Sequence, residues 1–257
     1  MCFSKIFVCG ILLCVHYANR LEQQNEKISG RHLQRILQYT MTPCRPLPTF
    51  KRTDCIVHNT DCDEVYPNLY VGDAASAKNK AFLRQMGITH VLNTAEGSRF
   101  GQVDTGHVYY RDVPQIRYMG FPLTDHPSTD ISRYFYIAAK FIDNAISSGG
   151  KVLVHCQMGI SRSATCAISY LMIYRKMTAA DAIRTVRLRR DIRPNDGFLQ
   201  QLADLCNELR RERMPAIART SELAPMDFPS RKPKLDQVGR MKSQCYKALM
   251  KDLFFNR

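Results

Sequence analysis

One stretch constrains the rest of this chain: Lys151 to Tyr170, KVLVHCQMGISRSATCAISY. Val152, Leu153, Val154 and His155 have strand character. Cys156 follows, then a turn containing Gly159, then Arg162, Ser163 and an apolar run at helical spacing. A strand that ends in a tight loop and then a helix leaves the loop amides and the first unpaired N–H groups of the helix pointing at one small volume, where anions bind. Cys156 lies at the strand end beneath that positive pole. Arg162 opens the helix, placed to fork two oxygens of a phosphate from the other side.

The demands on such a cysteine can be sized. A free thiol has a pKa of about 8.5 and activated ones fall to about 3.5–7.5. A drop of about three units requires roughly 4 kcal/mol of preference for the thiolate, and a helix terminus supplies at most about 2 kcal/mol. Converging amides and Arg162 must supply the remainder, so the whole loop is the active element.

The spacing alone proves little. Cys-x5-Arg arises roughly once by chance in 257 residues holding 10 Cys and 24 Arg, and Cys14 and Arg20 repeat it with no glycine between them and with a preceding apolar stretch that does not lead into a second helix. Taken with its flanks, HCQMGISRS resembles the phosphate loop of the protein tyrosine phosphatase superfamily. From about Val65 to Arg210 the chain resembles the small atypical dual-specificity phosphatases of the VHR-like group, through PNLYVGDAASA, GITHVLNTAEG, FIDNAI, KVLVHC, SRSAT, SYLM and RPNDGFLQQL.

The resemblance implies a single cysteine-dependent phosphatase domain hydrolysing phosphotyrosine and phosphoserine/threonine in proteins through a cysteinyl-phosphate intermediate. In it Cys156 is the nucleophile, and Arg162 with the loop residues Gln157, Met158, Gly159, Ile160 and Ser161 holds the phosphate. No metal or other cofactor is expected, because amides and guanidinium already balance the charge. The resemblance also implies that Ser163 bonds the sulfur and helps it leave, and that Arg190 meets a second phosphate on the substrate. The Pro194–Phe198 turn should brace the loop, with Asn195 capping the last helix and Phe198 packed inward. Gln157 and Met158 stand where the nearest relatives carry a more polar, charged pair, which should weaken the second-phosphate preference and leave catalysis intact. The lysines of inositol-lipid phosphatases are missing from the loop.

Departure of an alkoxide or phenoxide calls for a proton donor, worth about 10²–10⁴-fold. The loop Thr124-Asp125-His126-Pro127-Ser128-Thr129-Asp130 follows a strand candidate at 118–123, and ligands of open α/β sheets bind outside the carboxyl ends of strands. Asp130 directly precedes a helical stretch, Ile131–Ser147, and an N-cap accounts for it. Asp125, at the strand exit, matches the family's general acid; His126 is the alternative donor.

Strand candidates at 66–71, 88–92, 107–112, 118–123 and 152–155 alternate with helices at 79–86, 131–147, 163–175, 178–189 and from 194 to about 213. That succession predicts an α/β fold with a central, mostly parallel twisted sheet and helices on both faces. Around this domain, 63–213, we expect an extension at 1–27 with a ten-residue apolar run (Ile6–Val15), a leader helix near His32–Tyr39 with its linker at 28–62, and a basic tail at 214–257. Ten apolar residues are too few to span a bilayer, which needs about 20, although they match a signal-peptide core.

The net charge of +14 suits phosphorylated or acidic partners, but residues 211–257 carry 11 Lys/Arg against 5 Asp/Glu, so +6 lies outside the catalytic domain. The ten cysteines show no paired CxxC spacing of a zinc site, and thiolate chemistry fits a reducing compartment, cytoplasmic with access to the nucleus. Phosphoproteins are the expected partners, MAP kinases by likeness alone. Nucleic acid is not expected, since the basic tail lacks interleaved aromatics. Membrane contact would fall to the amino terminus or to Arg231-Lys232-Pro233-Lys234, and self-association is open. A phosphoprotein-binding scaffold that no longer turns over is the standing alternative.

Overall fold

A computed structural model describes residues 27–44 and 60–213. The apolar run at Ile6–Val15, the linker from 45 to 59 and the tail from 214 lie outside the described residues.

The central strand is the one that leads into the cysteine. β1 (Cys62–Tyr66), β2 (Leu69–Gly72), β3 (His90–Asn93), β4 (Arg117–Gly120) and β5 (Val152–His155) form a five-stranded sheet in the order β1-β2-β5-β3-β4. β5 runs parallel to both β2 and β3, and β3 to β4; only β1 is antiparallel to its neighbour. A strand with a parallel neighbour on each side is covered on both faces, and every residue of β5 is buried. Val152 and Val154 join the larger core cluster, whereas Leu153 faces the smaller one, as period-two alternation requires.

Seven α-helices lie among the described residues: α1 (Gly30–Tyr39), α2 (Ala74–Lys78), α3 (Lys80–Met86), α4 (Phe135–Ser147), α5 (Arg162–Ile173), α6 (Ala179–Arg187) and α7 (Asp196–Arg213). Side chains of α1 and α4–α7 fill the larger cluster; α2, α3 and the turns at 107–116 cover the other face. All twelve residues of α5 are buried, the polar Arg162, Ser163, Thr165 and Ser169 included, so this helix is enclosed on every side and serves as the central strut beneath the cysteine loop.

The leader helix docks on this core. Leu33, Ile36 and Leu37 are buried, each worth about 1.5–3 kcal/mol on removal from water. Asn207 of α7 brackets Ile28 with two hydrogen bonds, and Gln200 accepts from Gly30 N at 2.9 Å. A side chain at position 30 would meet the Gln200 backbone, so the close approach depends on glycine.

Three expectations need correction. The candidate strand Tyr66–Val71 is a hairpin: Pro67-Asn68 turns the chain, Asn68 sits at φ 63°, and Glu64 Oε1 accepts from its N–H. Residues 107–112 form successive turns instead of a strand, because Tyr109 and Tyr110 anchor their hydroxyls on the carbonyls of Lys78 and Ala77 and gain burial without a ladder. The stretch from Ile131 begins as a 3₁₀ turn, Ser132–Tyr134, whose entry is held by Gln201 Oε1 accepting from Ile131 N and Ser132 N, while Asp130 Oδ1 takes the Ser132 hydroxyl.

Candidate active site

Cys156 follows β5 at the carboxyl end of the sheet, 1% exposed, against a small apolar patch of Ala95 and Val103. Its sulfur accepts the Gly159 N–H at 3.2 Å and lies 3.4 Å from Ser163 Oγ. Burial by itself pushes a thiol pKa up, as it does at Cys166 and at Cys62, which reaches about 12. At Cys156 burial is again the largest influence and acts upward, yet the Arg162 charge, the Ser163 hydroxyl and the backbone N–H groups of Ser163 and Ile160 together outweigh it and bring the thiol below its ordinary value. Cys156 differs from those two in the donors that surround its sulfur.

The loop's orientation is fixed from outside. Four consecutive carbonyls are tied away from the cradle: Gln157 O accepts from Ala74 N, Met158 O and Gly159 O from Arg190, and Ile160 O from Arg193 N. A trans peptide sends its C=O and the next N–H in opposite directions, so outward carbonyls turn the following amides inward. Among the described residues, the N–H groups of Gln157, Met158, Ser161 and Arg162 donate to no backbone carbonyl. Gly159 sits at φ 66°, and a Cβ there would strike the Gly72 backbone and Arg190.

Arg162 is nearly buried. Its Nη1 donates to Gly101 O at 2.9 Å and Leu123 O at 3.0 Å, which aims the guanidinium, while Nε is buried with no hydrogen-bond partner. A buried donor left without an acceptor costs about 1–3 kcal/mol, which an arriving phosphate oxygen would relieve. Facing that Nε at 3.6 Å is Asp125 Oδ2. Asp125 Oδ1 accepts from Ser161 Oγ at 2.8 Å and from Asn195 Nδ2 at 2.9 Å. His126, by contrast, is exposed and pairs its Nδ1 with Ser128 Oγ, so the structure gathers Asp125, Ser161 and Arg162 and leaves His126 outside.

Beneath the cysteine, buried His155 has a pKa lowered to about 4, chiefly by burial and also by the Arg162 and Lys78 charges, against the upward pull of its bond to the Cys156 carbonyl. It is a neutral strut. Met158 and Gln157 project outward at the rim, Met158 64% exposed, and Phe100 is fully exposed on the loop that supplies Gly101.

Arg190 departs from the expected role. It is 3% exposed, and all five of its donors are used: Nε on Gly159 O, Nη1 on Asp61 and Asp63, Nη2 on Asp61 and Met158 O. No donor remains for a second substrate phosphate. Asp61 and Asp63 went unnoticed in the sequence, although two carboxylates at i and i+2, one just before an edge strand and one within it, call for a cation. Also missed were the second bond of Asn195, to Asp125, and the role of Gly197. A Cβ on Gly197 would collide with the Pro127 carbonyl, so glycine is what lets the acid loop rest on the start of α7.

The chain matches the family described as dual specificity phosphatase, catalytic domain, over residues 69–208. It is 47% identical over 174 residues to dual specificity protein phosphatase 13B of Mus musculus, covering 67% of this chain and 85% of that one. With the Homo sapiens protein of the same name it is 50% identical over 151 residues, 58% and 75% of the respective chains. Among solved structures it is similar to human DUSP28, with a TM-score of 0.51 at 25% identity over 66% of this chain and 99% of that one. A mouse dual specificity phosphatase complexed with zinc tungstate gives a TM-score of 0.54 at 26% identity, covering 65% and 96%.

Proposed function

We infer that this chain, which belongs to the dual specificity phosphatase family, is a protein phosphatase that hydrolyses phosphotyrosine and phosphoserine/threonine through a phosphorylated cysteine. The observation that carries this reading is the conjunction at Cys156: a buried sulfur whose neighbours are hydrogen-bond donors and a guanidinium with an unused buried N–H. Such a site holds a sulfur anion until a phosphate dianion arrives, and then offers its inward amides and Arg162 to the equatorial oxygens.

In the first step the Cys156 thiolate attacks phosphorus in line. The S–P bond forms as the P–O bond to the substrate breaks, and the leaving oxygen takes a proton from Asp125. Because Oδ1 is occupied by Ser161 and Asn195, the proton to be delivered sits on Oδ2, the oxygen facing Arg162. In the second step water gives its proton to the Asp125 carboxylate and attacks phosphorus. Inorganic phosphate leaves, and the departing sulfur regains its charge beside the Ser163 hydroxyl. Neither step calls on a metal for charge balance, since amides and Arg162 stabilise the phosphoryl oxygens.

Phosphorylated MAP kinases are the substrate set we propose on family likeness alone. Residence in the cytoplasm, with access to the nucleus, is proposed because a thiolate nucleophile needs reducing surroundings. The test is hydrolysis of an aryl phosphate and of phosphotyrosine and phosphothreonine peptides by the purified chain, with and without chelator. Turnover that survives chelation and disappears in Cys156→Ser is the expected result. Tight phosphopeptide binding with no turnover would instead make the protein a phosphoprotein-binding scaffold.

A further inference from the structure

Arg190 is a buried cation that the chemical steps do not use, on a segment whose position 193 also holds the phosphate loop. We propose that Arg190 is a positioning residue for the phosphate loop, locked by Asp61 and Asp63 against the loop's outer side, and not a ligand for a second substrate phosphate.

Arg190 Nη2 donates to Met158 O at 3.1 Å, which turns the next amide, Gly159 N–H, toward the interior, where it meets Cys156 Sγ at 3.2 Å. Arg190 Nε donates to Gly159 O at 2.6 Å, which turns the Ile160 N–H inward in the same way. One planar guanidinium therefore sets two successive amides. Lysine, with a compact head and three donors, cannot reproduce that fork.

A buried guanidinium needs counter-charges, and Asp61 and Asp63 supply them at 2.6 and 2.8 Å. Both precede the segment that matches the catalytic-domain family, residues 69–208, so the brace is delivered from outside it. A substrate phosphate could recruit Arg190 only by breaking these pairs and releasing the loop carbonyls. The same segment is tied to the leader helix, since Arg187 Nε donates to Thr40 O and Thr42 Oγ1 to Arg187 O.

The inference rests on the phosphatase reading, but its first measurement does not require turnover. In the full chain, the rate of Cys156 alkylation by iodoacetamide is followed against pH by peptide mass for the native protein, Arg190→Met, Arg190→Lys and Asp63→Asn. Aryl phosphate and doubly phosphorylated peptide hydrolysis are measured alongside. Arg190→Met should move the alkylation midpoint upward by on the order of one pH unit and lower kcat on the aryl phosphate about 10²-fold, the scale of a 1 Å misplacement. Arg190→Lys should restore only part of this, and Asp63→Asn should shift both readouts in the same direction by less.

An unchanged midpoint and unchanged aryl phosphate kcat, with loss confined to KM for the doubly phosphorylated peptide, would overturn the proposal. So would tighter binding of that peptide in Asp63→Asn, the result expected if the carboxylate merely competes with substrate. If Arg190→Met fails to fold, Asp63→Asn carries the decision. A native protein that alkylates at low pH yet hydrolyses nothing would fail the phosphatase reading and leave the brace still measurable.

Discussion

Asn195 Nδ2 donates to Asp125 Oδ1 at 2.9 Å while its own Oδ1 accepts from Phe198 N at 3.0 Å. One side chain thus closes the start of α7 and holds the carboxylate to which we assign protonation of the leaving group. The two duties separate by substitution. Asn195→Asp keeps an acceptor for the cap but loses the donor and sets a like charge against Asp125, so kcat should fall about 10-fold or more while the melting temperature changes little. Asn195→Ala should lose kcat as well as about 1 kcal/mol of stability. Steady-state kinetics paired with thermal unfolding checks both.

Gly197 sets how near the acid loop can lie to α7. Its Cβ would have to occupy the space of the Pro127 carbonyl, and backbone cannot step aside as a flexible side chain can. Gly197→Ala should destabilise the fold by about 1–3 kcal/mol through overpacking. It should also lower kcat with little change in KM, because Asp125 moves while the phosphate loop stays. Urea unfolding and kinetics on an aryl phosphate read the two effects.

Asp125→Asn removes the transferable proton and leaves the cradle in place. Turnover should fall by about 10²–10⁴-fold on an alkyl phosphate and by much less on an aryl phosphate whose phenoxide leaves unaided. Binding of a phosphopeptide, measured by calorimetry, should persist.

His155 gives the fold a pH dependence of defined sign. Its pKa is about 4 in the folded chain against an ordinary 6.5, mainly because burial disfavours the charged ring. The unfolded chain therefore binds more protons between those values. Stability should be highest above pH 6.5 and decline as pH falls toward 4, by up to about 3 kcal/mol from this group. His32 and His90, also lowered chiefly by burial, act in the same direction. Urea titrations across that range should show the decline, and His155→Gln should flatten it whatever its effect on absolute stability.

Much of the fold was legible because it rests on local signals. The run VLVH followed by Cys, Gly and Arg marks the central strand, the cradle and the buried helix. Gly87, at φ 69°, closes α3 where sequence punctuation places a helix end. What escaped notice depends on contacts between distant segments. Tyr109 and Tyr110 read as strand residues because burial and β-pairing favour the same side chains, and only the carbonyls of Lys78 and Ala77 decide between them. Arg190 read as a substrate ligand because Asp61 and Asp63, more than 120 residues earlier, are invisible as its partners until the hairpin brings them to it. The glycine at 197 gave no signal of its own, since its constraint is a carbonyl on another loop.

The sulfur of Cys156 as the phosphoryl acceptor is tested most directly by acid-quenching the native protein during its first turnovers of an aryl phosphate and locating the bound phosphate by peptide mass. The phosphoryl group should lie on the peptide carrying Cys156, and Cys156→Ser should show neither adduct nor turnover. Phosphate on a different residue, or full hydrolysis by Cys156→Ser, would contradict a mechanism built on a thiolate held by inward amides and Arg162.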